Sequence, residues 1–255
     1  MMHILAISNR KGGTGKTTVS VNLAATLAQQ GLRVLLIDLD SQGHCAVGLG
    51  LTPTQGMPTV HDLFTNADAQ LGAAITPTAL PTLWLAPSDP RFDHGSGVRD
   101  DTRLRRAIAD EALENRFDLI VIDTPPSMDA LLMNALLAAT RVLVPYVPHP
   151  LSFDGLRQLV RALFPIMTKQ NRTLKLLGFL PTMIAEHIRQ HRDTSSKVTN
   201  EFGAERGLPG IRNDIKLAEA FGVGQPICLY APRCRGAEDF EALAQKVRAL
   251  LGTSQ

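Results

Sequence analysis

Short apolar runs separated by amphipathic stretches set the pattern of this chain. His3–Ser8, Arg33–Asp38, Leu83–Ala86, Asp118–Asp123, Arg141–Tyr146 and Leu174–Pro181 are strand-sized and rich in Val, Ile and Leu. RVLLID and LIVID show no polar alternation in their interiors, as expected of strands in a parallel sheet covered on both faces. Between the runs, helical spacing predicts helices over Lys16–Gln30, Asp101–Asn115, Asp129–Ala138 and Ser152–Thr168. Within Gly236–Leu251, the residues Phe240, Leu243, Ala244, Val247, Leu250 and Leu251 form one stripe, with Glu241, Gln245, Lys246 and Arg248 elsewhere, which predicts a core-packing helix. Strand–helix alternation of this kind predicts a doubly wound α/β fold, a mostly parallel sheet with helices on both faces. Thr52–Pro90, rich in Pro, Thr and Ala, reads as a loop-heavy insertion with one short helix near His61–Phe64. No repeat, low-complexity tract or linker interrupts the pattern, so residues 1–255 read as one domain.

Composition narrows the class. At 255 residues, 44% hydrophobic and 20% charged, the chain can bury a sizeable core and is not of the disordered kind. No apolar run approaches the roughly 18 residues of a membrane span. MMHILAISN leads straight into a glycine loop, which leaves no room for a signal peptide. Cys45, Cys228 and Cys234 form no CxxC pair, and an odd count argues against a disulfide framework. The expected compartment is therefore reducing and cytoplasmic. The net charge of +2 hides an asymmetry: residues 1–150 carry 11 basic and 14 acidic side chains, residues 151–255 carry 15 and 10. Such a basic half suits solvated helices or a face that meets a polyanion.

The chemistry begins where the first strand runs into Asn9-Arg10-Lys11-Gly12-Gly13-Thr14-Gly15-Lys16-Thr17-Thr18 and opens a helix. Glycines here allow a tight turn whose N–H groups converge on an anion, and the helix N-terminus adds its dipole. Lys16 would reach the β- and γ-phosphates of a nucleotide, and the Thr17 hydroxyl would bind Mg²⁺. The strict GxxxxGK[ST] pattern misses its first glycine, because Arg10 stands there. Lys11 is a second lysine in the same loop, and one lysine suffices for a loop's own phosphates. A second points towards a neighbouring nucleotide. Leu119–Ile122 followed by Asp123 is an apolar strand ending in a carboxylate, the pattern that supports Mg²⁺ through water.

KGGTGKT resembles the loop of the ParA/MinD family of deviant Walker A ATPases. Asp38-Leu39-Asp40-Ser41-Gln42 is similar to that family's D-x-D-P-Q motif, with Ser41 in place of proline. Thr124-Pro125-Pro126-Ser127 after Asp123 resembles its second switch. Ile211–Ala220, Gly224-x-Pro226-Ile227 and Tyr230–Ala237 resemble the carboxy-terminal signature of small ParA proteins. The resemblance covers the chain apart from the region near 52–100. It implies ATP and Mg²⁺ as cofactors, held by Lys11, Gly12, Gly13, Thr14, Gly15, Lys16, Thr17 and Thr18, with Met183 and Asn213 at the adenine. It implies Thr17, Asp38 and Asp123 around Mg²⁺, Asp40 on the attacking water, and Lys11 crossing an ATP-dependent sandwich homodimer to act in trans. Asn134 matches a family asparagine and fits either the dimer face or an ordinary polar helix position.

The same resemblance bears on partners. ParA-like members bind nonspecific DNA, whereas MinD-like members bind membrane through a terminal amphipathic helix. This chain ends with its core helix, so no membrane partner is expected. Lys216, Arg233 and Arg235 occupy basic positions of the signature, and with Arg212 they are the expected phosphate contacts. The glycine loop starts so early that the amino-terminal DNA-reading extension of larger plasmid partition ATPases has no counterpart. The family commonly has an acidic residue near His149, a departure that leaves DNA partition and the positioning of another cargo, such as carboxysomes, on equal footing. The implied cycle is ATP-dependent dimerisation on the nucleoid, with slow hydrolysis stimulated by a cargo-bound adaptor. The alternatives are a MinD-like membrane-associated regulator and a metal-cluster assembly ATPase, for which Cys228 and Cys234 give little support.

Overall fold

The computed structural model describes residues 2–54, 56–93, 100–185 and 187–252. Its elements run β1 (His3–Ile7), α1 (Lys16–Gln29), β2 (Val34–Asp38), α2 (His44–Gly48), α3 (Asp62–Thr65), α4 (Leu71–Ala74), β3 (Thr76–Pro77) and β4 (Leu83–Ala86). Then follow α5 (Arg103–Asp110), β5 (Leu119–Asp123), α6 (Ala130–Ala138), β6 (Arg141–Tyr146), α7 (Pro150–Pro165) and β7 (Lys175–Pro181). The chain continues through α8 (Arg189–Phe202), α9 (Ile215–Gly222), α10 (Ile227–Tyr230) and α11 (Arg235–Leu251). The strands form one sheet in the order β3-β4-β2-β5-β1-β6-β7. Every pairing is parallel except that of β3 with β4.

Side chains alternate across the central strands, and each face is covered. Leu5, Ile7, Leu36, Val121 and Leu143 pack with Leu23 and Leu27 of α1 and Phe240, Leu243 and Val247 of α11. Ile4, Ala6, Leu35, Ile37, Ile120 and Val142 pack with Leu104 of α5, Leu132 and Leu136 of α6, and Leu156 and Leu159 of α7. The doubly wound parallel architecture is the one expected, and β4 and β6 match their expected spans.

The differences have physical causes. α5 stops at Asp110, short of the expected Asn115, because Ala112 adopts a left-handed φ of 48°. Glu111 instead turns its carboxylate to the backbone N–H groups of Leu71 and Gly72, both at 2.6 Å. α8 lay outside the predicted helices because only Thr194 and Val198 of its residues are buried, too thin a stripe to register. The segment expected as loop-heavy holds, besides the expected short helix (α3) and strand (β4), the further helix α4 and the two-residue strand β3. Asn134 is wholly buried: its amide oxygen accepts from the Leu104 N–H and its amide nitrogen donates to the Asp100 and Ala130 carbonyls, each at 3.0 Å. It rivets α6 to the start of α5 and lies on no exposed face. His149 caps α7, its Nδ1 accepting from the Leu151 N–H at 3.4 Å.

One backbone contact ties α2 to α9. Gly50 and Gly224 both have left-handed φ, 66° and 68°. A Cβ on Gly50 would come within 2.7 Å of the Gly224 carbonyl oxygen, and one on Gly224 within 2.6 Å of the Gly50 Cα. Among the described residues, no helix is long and apolar enough to cross a membrane.

Candidate active site

The ladder brings the carboxyl ends of three strands together. Asp123 stands opposite Ile7 of β1 and opposite Asp38 of β2, at the edge of a parallel sheet where ligands collect. The loop leaving β1 is fixed by Asn9, whose amide donates to the Pro145 carbonyl at 2.7 Å and accepts from the Lys11 N–H at 3.0 Å. Gly13 and Gly15 take left-handed φ of 72° and 79°, a conformation that costs other residues about 1–2 kcal/mol. The Thr182 hydroxyl donates to the Thr14 carbonyl at 3.0 Å and ties the loop to the end of β7. α1 then opens with neither a side-chain cap nor an acidic residue in its first turn. Its unsatisfied N–H groups and positive dipole end face a cavity of about 650 Å³.

Gly12–Thr18, Asp40, Gln42, His44, Met183, Ile211, Asn213 and Phe221 are among the residues lining that cavity. All eight residues expected around the phosphates are there except Lys11, which is exposed at the loop mouth. Among the described residues, Lys11 has no ion pair in the structure. Met183 and Asn213 meet at one end because the Ile184 N–H donates to the Ile211 carbonyl at 3.0 Å and the Asn213 N–H to the Ile184 carbonyl at 2.9 Å. Met183 holds a left-handed φ of 52°, uncommon for a side chain of its size.

Behind the cavity wall the charges are buried. Lys16 is 8% exposed, and burial lowers its pKa against the raising influence of Asp123 and Asp40. Asp123 is fully buried and accepts from the Thr17 hydroxyl at Oδ2 and the Ser20 hydroxyl at Oδ1, both at 2.8 Å. Burial pushes Asp123 up to about 6, opposed by those two hydrogen bonds and by the Lys16 charge. Asp38, also fully buried, accepts from the Asp40 and Cys45 N–H groups at 3.1 Å each. Burial and the neighbouring Asp123 charge push Asp38 well above the usual carboxylate range. Two adjoining buried carboxylates call for a proton or a cation. The Thr17 hydroxyl and the two carboxylates are hard oxygen donors that fit Mg²⁺, while the Cys45 thiol beside them is not a ligand type for it. Thr17 gives its single proton to Asp123, which leaves its lone pairs for a cation in the cavity.

Ser20 and Cys45 were not among the expected residues. Ser20 lies one turn after Thr17 on the same helix face, a spacing that could have flagged it. Cys45 carries no such signal, since its partners are set by tertiary packing.

Comparison with known proteins identifies the family. An AAA domain family model matches residues 2–176. The chromosome partitioning protein ParA of Caulobacter vibrioides is 34% identical over 251 residues, covering 96% of this chain and 94% of that protein. The chain is a ParA-family ATPase. The sporulation initiation inhibitor protein Soj of Bacillus subtilis is 35% identical over 254 residues, covering 98% and 99%. The septum site-determining protein MinD of Pyrococcus horikoshii, complexed with Mg-ADP, superposes with a TM-score of 0.81 at 26% identity, covering 99% of this chain and 98% of that one. ATP and Mg²⁺ are accordingly the expected cofactors of this ParA-family chain.

Its basic residues gather at a second place. Asp214 caps α9 through the Lys216 N–H at 3.0 Å and also accepts from the Gly236 N–H in the first turn of α11 at 2.9 Å. This shared carboxylate sets Lys216, Arg233 and Arg235 beside two helix N-termini. Arg233 and Arg235 are exposed, and Lys216 pairs with Glu219 at 2.7 Å and lies over the Tyr230 ring. Arg212 departs from the expectation for a free phosphate contact: its guanidinium is held by Asp239 at 2.8 Å and Glu238 at 3.3 Å. It fastens the loop before α9 to α11.

Proposed function

We propose that this chain is a partitioning ATPase that grips nonspecific DNA in its ATP state and so distributes a cargo over the nucleoid. What carries the reading is one cavity lined by the glycine loop, Lys16, Thr17 and Asp40, with Lys11 exposed beside it. Lys16 and the loop N–H groups hold the β- and γ-phosphates. Thr17, with Asp123 and Asp38 behind it, would hold Mg²⁺, which would neutralise charge on the phosphate oxygens. Asp40 orients the attacking water. Met183 and Asn213 take the adenine end. Two copies close face to face, and Lys11 of each reaches the other's phosphates, stabilising charge that develops in phosphoryl transfer.

Closure joins two basic faces, so nucleotide and DNA affinities are linked. Lys216, Arg233 and Arg235 contact phosphates with help from the α9 and α11 N-termini. A cargo-bound adaptor stimulates hydrolysis, the dimer opens and DNA is released. The relatives named for chromosome partitioning support the cargo being DNA.

The test is binding to nonspecific duplex DNA with ATP, ADP or no nucleotide across a salt series. Binding is expected only with ATP, its log affinity falling against log salt by about 0.9 per phosphate neutralised. Lys11→Ala and Lys216→Glu should abolish it, and Asp40→Ala should prolong it. DNA binding in no nucleotide state would refute the DNA-tethered reading and turn attention to membranes and protein clients.

A further inference from the structure

Cys45 is the one residue among the hydrogen bonds described that donates to both buried carboxylates. Its backbone N–H reaches Asp38 Oδ2 at 3.1 Å, and its thiol reaches Asp123 Oδ2 at 3.6 Å. That same Asp123 oxygen accepts the Thr17 hydroxyl at 2.8 Å. The donor atoms of Asp38, Cys45 and Asp123 all lie within 4.8 Å of one another, and all three residues are buried. Cys45 belongs to α2, which follows directly on the Asp40 loop.

We propose that Cys45 is a positioning residue for Mg²⁺-dependent nucleotide binding: it fixes the Asp123 oxygen that orients Thr17, and it links that oxygen to the Asp40 loop. The thiol is a weak donor, and at neutral pH it carries its proton. Its value lies in where it stands. Asp123 Oδ2 takes the Thr17 proton and the thiol proton while Ser20 holds Oδ1, so the carboxylate plane cannot turn without losing one of the three. The Thr17 lone pairs are thereby held towards the cavity. A shift of the Asp40 loop moves α2 and with it the thiol, so the metal site senses the loop. Outer partners of this kind govern metal affinity without touching the metal.

If the cavity takes Mg·ATP, as proposed above, the decisive measurement is a Mg²⁺ titration of ADP binding by calorimetry, with EDTA as the metal-free control. Wild type, Cys45→Ala, Cys45→Val and Cys45→Ser are run as full chains. Ala removes the donor, Val removes it while filling the space, and Ser keeps one. The half-saturating Mg²⁺ concentration should rise about 10-fold, the low end for an outer partner because the thiol is a weak donor, in Cys45→Ala and Cys45→Val and stay within about twofold of wild type in Cys45→Ser. Affinity for ADP in EDTA should be the same in all four. A Mg²⁺ dependence in the Val and Ala variants equal to wild type overturns the assignment, as does a Ser variant as impaired as Ala. Should Ala fail to fold, Val against Ser decides. Wild type showing no Mg²⁺-dependent ADP binding would overturn the nucleotide reading itself, a result distinct from either.

Discussion

The phosphate end and the basic end of this molecule are built by different means. At the phosphate end, backbone and buried groups from β1, α1, β2, α2 and β5 interlock: Asp123 alone takes hydrogen bonds from Thr17, Ser20 and Cys45. At the basic end, exposed side chains on two helices depend on one shared carboxylate, Asp214. The first arrangement fixes atoms for chemistry and tolerates little change. The second fixes only the region where charge is presented, which suits a partner read by its phosphates rather than its sequence.

That contrast can be broken or sharpened by substitution, and the largest effect belongs to the phosphate end. Lys16→Met should lower ATP turnover by about 100-fold or more. Its thermal midpoint should hold or rise, because removing the buried ammonium relieves its desolvation. Steady-state kinetics and melting read the two halves of that statement. Next is the joint between the ends. Gly50→Ala meets both a left-handed φ and the Gly224 carbonyl, so urea unfolding should show a loss of about 2–4 kcal/mol.

Asp214→Ala is the sharper probe of the basic end. It removes the cap of α9 and a contact of α11, for about 1–2 kcal/mol. ATP affinity should fall by less than ATP-dependent DNA binding, because Asp214 also lines the nucleotide cavity beside Asn213, and fluorescence anisotropy would report both. A loss of ATP affinity as large as that for DNA would mean that the two ends are one unit. The smallest effect lies far from both. Asp118 is held below the usual carboxylate range first by its hydrogen bond from Arg33, so its contribution to stability is present above its unfolded pKa and is lost as pH falls through the folded value. Stability measured down an acid series should fall less steeply in Arg33→Ala than in wild type.

The two ends were also unequally legible in the sequence. The β-strands and the glycine loop declare themselves because each is a contiguous run: LIVID can hardly be anything but a buried strand, and GKTT after a strand fixes the start of α1. Asp38 and Asp123 follow from their places at strand ends. The basic end is assembled across distance. Arg212 looks like any surface cation until Asp239, 27 residues on, takes its guanidinium. Lys216 and Arg235 are neighbours only because Asp214 binds two N-termini at once. Ser20 was within reach of helical spacing; Cys45 and the left-handed Met183 were not, since neither leaves a local pattern. α8 escaped for the opposite reason, being so polar that its periodicity carries almost no apolar signal.

The central place of β1 bears on how the chain is made. Its neighbours in the sheet begin at Leu119 and Arg141. At ribosomal speeds, those partners emerge roughly 6–28 s after β1 has left the tunnel. For that interval the first strand is an orphan, apolar and unpaired, and the glycine loop attached to it has no sheet edge to lean on. The nucleotide site, although encoded almost at the start, is therefore among the last parts of the molecule to be completed.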